Sequence, residues 1–381
     1  MKTIIIFLLL LTFALAQSPA KYEKKFIWTK ERTILTADFS KVKKPELNDF
    51  KTVFHFDPVR QDTTGTCWSY SGTSFIESEM YRLYKKKIKL AEMYFAYWEY
   101  VEKVKRFVKE KGDSEFGEGA EQSSVLKRMQ QYGCVPLEAY SGLINGATKH
   151  NHGPMFKEMN NYLKFIKKNN YWDEEVALAE IKAIMKKYIG IPPEKFTYEG
   201  KEYTPLEFSR QVCKIKREDY VDFMSTLKTP FYKTGEYKVP DNWDHDSTYH
   251  NIPLDVFYQG IKKAVKSGYS IAIGGDVREP GKYGWEDIAI VVPWDIPQDA
   301  INQSSREFRF YNHTSTDDHG IHLVGYTKKY GHDWYLIKDS GSSSHYGKYP
   351  GYYFFRDDFI KLKMLSFMVH KAAVKDILKK F

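Results

Sequence analysis

The chain has 381 residues, of which 42% are hydrophobic and 28% are charged, and its formal net charge is +9. This balance is typical of a globular protein and leaves room for one large domain or for two lobes around a cleft. The positive charge is spread over lysine-rich segments such as 85–87 and 182–187, which is typical of solvated helix faces. The sequence contains no compact basic patch interleaved with aromatic residues, which would indicate nucleic-acid binding.

Residues 1–16 begin with Met-Lys, continue as an almost wholly apolar run and end in Ala-Leu-Ala. This order of charge, apolar run and small residues is typical of a secretory signal peptide. The run is too short to span a membrane comfortably, and no later segment approaches eighteen apolar residues. We therefore expect a secreted or periplasmic mature protein without stable membrane insertion; a retained N-terminal anchor is the alternative.

Residues 61–69 read Gln-Asp-Thr-Thr-Gly-Thr-Cys-Trp-Ser, and a helical pattern begins at Cys67. The positive end of a helix favours a thiolate, which is the form of cysteine that attacks. The backbone N–H of residue 67 and the amide of Gln61 are both suited to hold the oxygen of an attacked carbonyl. The segment predicts an activated nucleophile, and a buried structural cysteine beside a core tryptophan is the alternative.

The apolar spacing along the chain predicts helices over 67–87 and 90–111, and a third that ends at Gly133. The stretch 145–238 has a helical, highly charged pattern, and a further helix is predicted over 254–268. Short strands then follow at 269–273, 288–292, 308–311, 321–326, 334–338, 352–355 and 365–370. This order indicates an α+β protein of two lobes, with an antiparallel sheet or barrel in the second and a site where the lobes meet.

Two histidines begin one of the predicted strands, since residues 317–326 read Asp-Asp-His-Gly-Ile-His-Leu-Val-Gly-Tyr. His319 and His322 point to opposite faces of a strand, so only one of them can face the cleft. Residues 334–341 read Trp-Tyr-Leu-Ile-Lys-Asp-Ser-Gly. The carboxylate of Asp339 can accept a hydrogen bond from an imidazole and hold its orientation.

The cysteine segment, the histidine strand and the Asp-Ser-Gly run together resemble the papain-like cysteine peptidases, and the whole chain is most similar to their bleomycin hydrolase (aminopeptidase C) branch. The resemblance implies Cys67 as nucleophile, Gln61 as oxyanion donor and Asp339 as the third member of a triad. It favours His319 over His322, because the family's histidine stands six residues before a Gly-Tyr pair. Further matching segments are 90–98, 118–122, 132–136, 196–198 and 204–208.

The resemblance also implies a fold and a division of the chain. We expect a papain-like two-lobed α+β domain over 17–381, with a central helix bearing the cysteine and a β-barrel-like lobe. Its parts are a mainly helical lobe with the nucleophile, a helical insertion, and a mainly β lobe with the histidine and the aspartate, over 17–143, 144–248 and 249–381. The expected activity is hydrolysis of peptides through a thioester, with aminopeptidase action suggested by the branch. No cofactor is needed, and oligomers are common in the branch although the sequence establishes none.

Two departures from the family affect the third catalytic position. Asp339 replaces the usual asparagine, and Gly341 replaces a tryptophan that shields the bond between histidine and asparagine. We expect this bond to be wetter and weaker than in the family. A catalytically weakened or inactive papain-like peptide-binding protein is therefore the alternative function. The tail over 376–381 reads as a short basic helix, so aminopeptidase action does not carry over directly.

Other sites receive less support from the sequence. Three cysteines in an exported chain suit one reactive thiol and one disulfide between Cys134 and Cys213, or equally two buried thiols. No Cys-x2-Cys motif supports structural zinc, and the histidines at 245 and 250 are expected to be solvated rather than metal ligands. A transglutaminase-like acyltransferase normally has a much shorter separation of cysteine and histidine than the 252 residues here (residue 319 minus residue 67).

Overall fold

The computed structural model describes residues 21–27 and 30–381, so the predicted signal peptide over 1–16 lies outside the described residues. The α-helices of the described part are α1 (Cys67–Tyr84), α2 (Glu92–Lys109), α3 (Ser123–Tyr132), α4 (Gly153–Asn169), α5 (Glu174–Ile189), α6 (Pro205–Phe208), α7 (Leu254–Lys266), α8 (Gln303–Tyr311), α9 (Asp357–Lys363) and α10 (Lys375–Leu378). The helices predicted at 67, 90 and 254 are thereby confirmed, as is the helix that ends before Gly133.

Three sheets contain the strands of the described residues. The strands are β1 (Lys21–Ile27), β2 (Lys30–Thr36), β3 (Lys51–Thr52), β4 (Phe196–Tyr198), β5 (Lys201–Tyr203), β6 (Tyr220–Met224), β7 (Lys233–Gly235), β8 (Tyr249–Asn251), β9 (Ile271–Gly275), β10 (Lys282–Tyr283), β11 (Ile288–Ala289), β12 (His319–Lys329), β13 (His332–Lys338), β14 (Tyr352–Arg356) and β15 (Met364–His370). β1 pairs with β2 and β4 with β5, and the other strands form one large sheet.

The large sheet runs in the order β10-β11-β14-β13-β12-β9-β15-β6-β8-β7, and β3 pairs with β12 beside this path. Its pairs are antiparallel except for β11 with β14 and β6 with β8. The α+β class is confirmed, but the barrel-like lobe is wrong: among the described strands the sheet stays open. Its outer strands are only two or three residues long, too short to offer each other a ladder that would close it.

The centre of the large sheet separates two cores. Ala272 on β9 belongs to the core of the helical lobe, which α1, α2 and α3 share, whereas Ile271 and Ile273 belong to the core that α7 covers. This alternation follows from the two-residue period of a strand. Helix α1 packs against β12 and β9 on one side and against α2 and α3 on the other. It is buried from Cys67 to Met80, so its N-terminus lies where the lobes meet.

The segment predicted to be helical over 145–238 is helical only in part. Helices α4 and α5 occupy its first half, and α2 packs against α5. Strand β6 follows, fully buried, and pairs with β15 inside the large sheet. The helical prediction was wrong for β6 because its partner β15 lies more than a hundred residues away. Pairing between such distant segments leaves no local periodicity in the sequence.

The strand predicted over 308–311 is the end of helix α8 instead. Asn302 accepts a hydrogen bond from the backbone of Ser305 at 3.0 Å, and the Ser305 hydroxyl accepts one from the Asn302 backbone at 2.9 Å. This reciprocal cap starts a helix whose buried Arg306 and Phe310 lie four residues apart on one face. The cap therefore decided the structure of an aromatic-rich segment that has high strand propensity.

Both ends of the described chain pack on the β lobe. The ring of Phe39 stacks on Tyr283, with 5.0 Å between the centroids. At the other end, Asp376 of α10 pairs with Lys263 of α7, and the ring of Phe381 contacts His250. Helix α10 ends at Leu378, earlier than the helix predicted to reach 381. None of the described helices is long and apolar enough to cross a bilayer.

Candidate active site

Cys67 is the first residue of α1, and a tightly held loop precedes it. The Glu118 carboxylate accepts a hydrogen bond from the backbone of Gly65 at 2.6 Å, and the Glu118 carbonyl accepts one from the Trp68 indole at 3.0 Å. A Cβ at Gly65 would lie 2.7 Å from the Cβ of Glu118, so only glycine allows this approach. The loop presents the Cys67 side chain, which is 8% exposed, toward the β lobe.

His319 is the first residue of β12 and lies beside the cysteine. The backbone N–H of Gly320 points to the Cys67 sulfur at 3.5 Å, and the His319 ring is close enough to the Cys67 side chain to interact with it. Nε2 of His319 lies 2.8 Å from Oδ1 of Asp339. The structure thus brings together three side chains that the sequence singled out, from α1, β12 and the end of β13.

Asp339 is buried more completely than the sequence suggested. Its side chain has no exposed surface, and Oδ1 also accepts a hydrogen bond from the backbone of Gly341 at 2.7 Å. The second oxygen, Oδ2, lies 3.3 Å from Nζ of Lys282. The expectation of a wet bond is therefore wrong for the carboxylate, because backbone and a lysine side chain cover it without a tryptophan.

These contacts shift the titration of both partners. Burial alone lowers the pKa of His319, but the negative charge of Asp339 and the contact with Cys67 outweigh it and raise that pKa to about 10. Burial raises the pKa of Asp339, but the charges of His319 and Lys282 outweigh burial and hold that pKa well below its usual range. The pair is therefore an imidazolium and a carboxylate at neutral pH.

Gln61 is fixed from both ends of its side chain. Its Oε1 accepts a hydrogen bond from the Ser340 hydroxyl at 2.8 Å, and its backbone N–H donates to the Ser340 carbonyl at 3.0 Å. Its Nε2 donates to the Thr64 carbonyl at 2.6 Å. Since an amide nitrogen carries two hydrogens, this leaves one donor of Gln61 for another acceptor.

His322 lies outside this group. Its ring is fully buried between β12 and α1, where Nδ1 lies 2.9 Å from the Ser74 hydroxyl. Burial, together with the nearby positive charge of Lys338, keeps the pKa of His322 well below its ordinary value. The Lys338 ammonium donates to the same hydroxyl at 2.9 Å. His322 is thus a neutral ring in the contact between the lobes.

The other predicted sites have simple surroundings. The sulfurs of Cys134 and Cys213 lie 3.4 Å apart, and both residues are buried thiols. His245 lies 2.6 Å from a carboxylate oxygen of Glu236. In the part of the chain that the structure describes, no three His, Cys, Asp or Glu side chains are grouped so as to hold a metal ion.

Sequence reasoning missed three residues of the site. Lys282 is 57 residues from Asp339 along the chain, and its only sequence signal is indirect: a buried carboxylate in place of an amide needs a cation. Ser340 follows Asp339 directly, so its position beside the site was foreseeable, although its bond to Gln61 was not. Glu118 lay in a matching segment, but no motif assigned it to the loop before the cysteine.

Comparison with known proteins adds to this geometry. A family model described as the Peptidase C1-like family matches residues 117–381, a stretch that includes His319 and Asp339 but not Cys67. PepW from Lactobacillus rhamnosis has a similar structure, with a TM-score of 0.63 at 17% identity over 86% of this chain and 84% of PepW. At this identity the likeness shows the fold alone. No curated protein matches the chain by sequence.

Two further solved structures are less similar. One comes from a study of the mite allergens Blo t 1 and Der p 1, with a TM-score of 0.40 at 12% identity over 87% of this chain and 73% of the other. The second is digestive procathepsin L 3 of the Tenebrio molitor larval midgut, with a TM-score of 0.37 at 14% identity over 87% and 72%.

Proposed function

Since the chain belongs to the Peptidase C1-like family, we propose that it is an active cysteine peptidase that hydrolyses peptides through Cys67, His319 and Asp339. One observation carries the proposal: the His319 ring lies 2.8 Å from the Asp339 carboxylate and also interacts with the Cys67 side chain. A nucleophile, a base and a group that orients the base are the parts that thiol acyl transfer needs.

In this mechanism the two ring nitrogens of His319 have different partners. Nε2 of His319 faces Asp339, which leaves Nδ1 to exchange a proton with Cys67. The thiolate attacks the peptide carbonyl carbon and forms a C–S bond, while the carbonyl oxygen takes up the negative charge. The remaining amide donor of Gln61 and the backbone N–H of Cys67 stabilise this oxyanion.

His319 then completes the reaction by returning its proton. The imidazolium protonates the leaving nitrogen as the C–N bond breaks, which leaves a thioester on Cys67. The neutral ring removes a proton from water, the hydroxide attacks the thioester, and the C–S bond breaks to release the acid. Asp339 holds the ring throughout, and the cycle needs no cofactor.

Turnover of peptides tests this proposal against the binding-protein alternative. We expect the mature chain, beginning at residue 17, to hydrolyse unstructured peptides, and Cys67→Ala to bind the same peptides without cleaving them. An epoxide inhibitor of cysteine peptidases should label Cys67 stoichiometrically. A wild-type protein that binds peptides with the same affinity as Cys67→Ala, cleaves none of them and is not labelled would instead be the inactive peptide-binding protein.

The finer features of the function rest on the sequence resemblance. Aminopeptidase action is part of the proposal, and comparison of free with N-blocked peptides tests it, since only free peptides should be cleaved. Export by residues 1–16 is a further part. It is tested by the N-terminus of the protein recovered from the medium or periplasm, which should be Gln17.

A further inference from the structure

We propose that Lys282 is a positioning residue for the reaction: its ammonium group is the fixed counter-charge that allows an aspartate, rather than a neutral amide, to orient His319. This inference rests on the proposed peptidase function and assigns a role to a residue beside the triad. Lys282 begins strand β10, at one edge of the large sheet. It comes from a different element than any residue named in the triad.

The surroundings of Lys282 are those of a buried cation with one opposite charge. Its side chain is 6% exposed, and Nζ lies 3.3 Å from Oδ2 of Asp339. Nζ also donates to the Ser343 hydroxyl at 3.4 Å and lies 4.3 Å from the centre of the Tyr353 ring. A buried ammonium is costly unless it is paired, so the position of this lysine is explained by the carboxylate that it meets.

The two oxygens of Asp339 have separate tasks. Oδ1 accepts from His319 and from the backbone of Gly341, whereas Oδ2 faces Lys282. An amide at this position would offer a single oxygen and no charge, and would need no lysine. The carboxylate brings a second oxygen and a full negative charge, and Lys282 neutralises the part that His319 does not.

Other titratable groups lie near the same carboxylate or near Lys282. His345, from the short 3-10 helix 342–345, is close enough for its titration to respond to Asp339. Tyr353 on β14 stands beside Lys282. Cys67 interacts with the His319 ring. Among the described residues, Lys282 is the only lysine or arginine within ion-pair distance of Asp339.

A double-mutant cycle tests the inference. Lys282→Met leaves a buried carboxylate without its counter-charge, and Asp339→Asn leaves a buried ammonium without its partner. We expect each single variant to lose kcat with little change in KM. The double variant, which restores a neutral pair, should exceed the kcat/KM expected from the two single losses by about tenfold. Lys282→Arg, which keeps the charge, should retain more activity than Lys282→Met.

A second readout makes the result independent of substrate choice. The rate of Cys67 alkylation by iodoacetamide, measured against pH, reports the thiolate and its imidazolium partner. We expect its alkaline inflection to move in Lys282→Met and to return toward the wild-type value in the double variant. Lys348→Met is the matched control, because Lys348 is 67% exposed and pairs with Glu46; it should change neither readout.

The outcomes separate this inference from the proposed function. Additive losses in the cycle, or a Lys282→Met variant that melts earlier yet keeps the wild-type pH profile of alkylation, would overturn the role of Lys282. A wild-type protein that cleaves no peptide would remove the peptidase proposal, and the alkylation cycle would still decide whether Lys282 supports the His319–Asp339 pair. If Lys282→Met does not fold, Lys282→Arg is compared with wild type and with Asp339→Asn. A pH profile of alkylation for Lys282→Arg that equals the wild-type profile supports the inference. A Lys282→Arg profile that equals the Asp339→Asn profile contradicts it.

Discussion

Nε2 of His319 lies 2.8 Å from Oδ1 of Asp339, and the carboxylate has no exposed surface. An imidazolium that is hydrogen-bonded to a buried carboxylate keeps its proton to a higher pH than a free imidazole. This single relationship links the fold to the chemistry, because His319 begins β12 and Asp339 directly follows its neighbour β13. It also sets the pH range in which the site holds its charged form.

The first prediction concerns the alkaline limit of activity. Since the contacts of His319 raise its pKa to about 10, the imidazolium persists below that pH and is lost as the pH rises through it. We expect kcat/KM to fall on the alkaline side with an inflection near that value, well above the ordinary histidine value of about 6.5. A pH profile from 6 to 11 measures it. An alkaline inflection near the ordinary value would contradict the assignment.

The second prediction distinguishes the two histidines. His319→Ala should lower kcat by about a thousandfold or more, because it removes the proton carrier. His322→Ala should keep kcat within a few fold but lower the free energy of unfolding by about 2–4 kcal/mol, because it opens a cavity between β12 and α1. Steady-state kinetics and urea unfolding of both variants measure these effects. Loss of turnover in a stably folded His322→Ala variant would indicate that His322, and not His319, carries the proton.

The third prediction concerns the oxyanion. Gln61→Ala should reduce kcat by about 100- to 1000-fold with a small change in KM, because its amide stabilises charge that develops only in the transition state. Ser340→Ala should cause a smaller loss, because it frees the end of Gln61 that Ser340 holds at 2.8 Å. Equal losses in kcat for both variants, or a loss expressed only in KM, would argue against oxyanion stabilisation by Gln61.

The fourth prediction concerns the cysteine pair. In protein recovered after export we expect Cys134 and Cys213 to form a disulfide by exchange with glutathione disulfide, whose S–S bond breaks as it takes up the two electrons and two protons and leaves as two glutathione thiols. Alkylation under denaturing, non-reducing conditions should then detect one thiol, Cys67, instead of three. Reduction should lower the free energy of unfolding by about 2–4 kcal/mol. Protein produced in a reducing compartment is the control, and three thiols in the exported protein would contradict the pair.

The sequence predicted well what local chemistry controls. The helix that begins at Cys67 and the strand that contains His322 follow from the spacing of apolar residues, and both lie where expected. Predictions failed where a distant partner or a cap overrode local preference. The local pattern predicts helix where strand β6 lies, because the ladder of β6 to β15 is non-local. It predicts a strand at the end of α8, because the aromatic residues there favour a strand and the Asn302 cap lies outside that segment.

The sequence by itself determined which side chains carry chemistry: a thiol at a helix start, an imidazole at a strand start and a carboxylate after the next strand. It could do so because each is marked by its immediate neighbours. Only the tertiary structure decided that His322 is buried against α1, away from Cys67, and that Lys282 lies beside the charge of Asp339. Such decisions depend on burial and on distances between elements, which no stretch of neighbouring residues encodes.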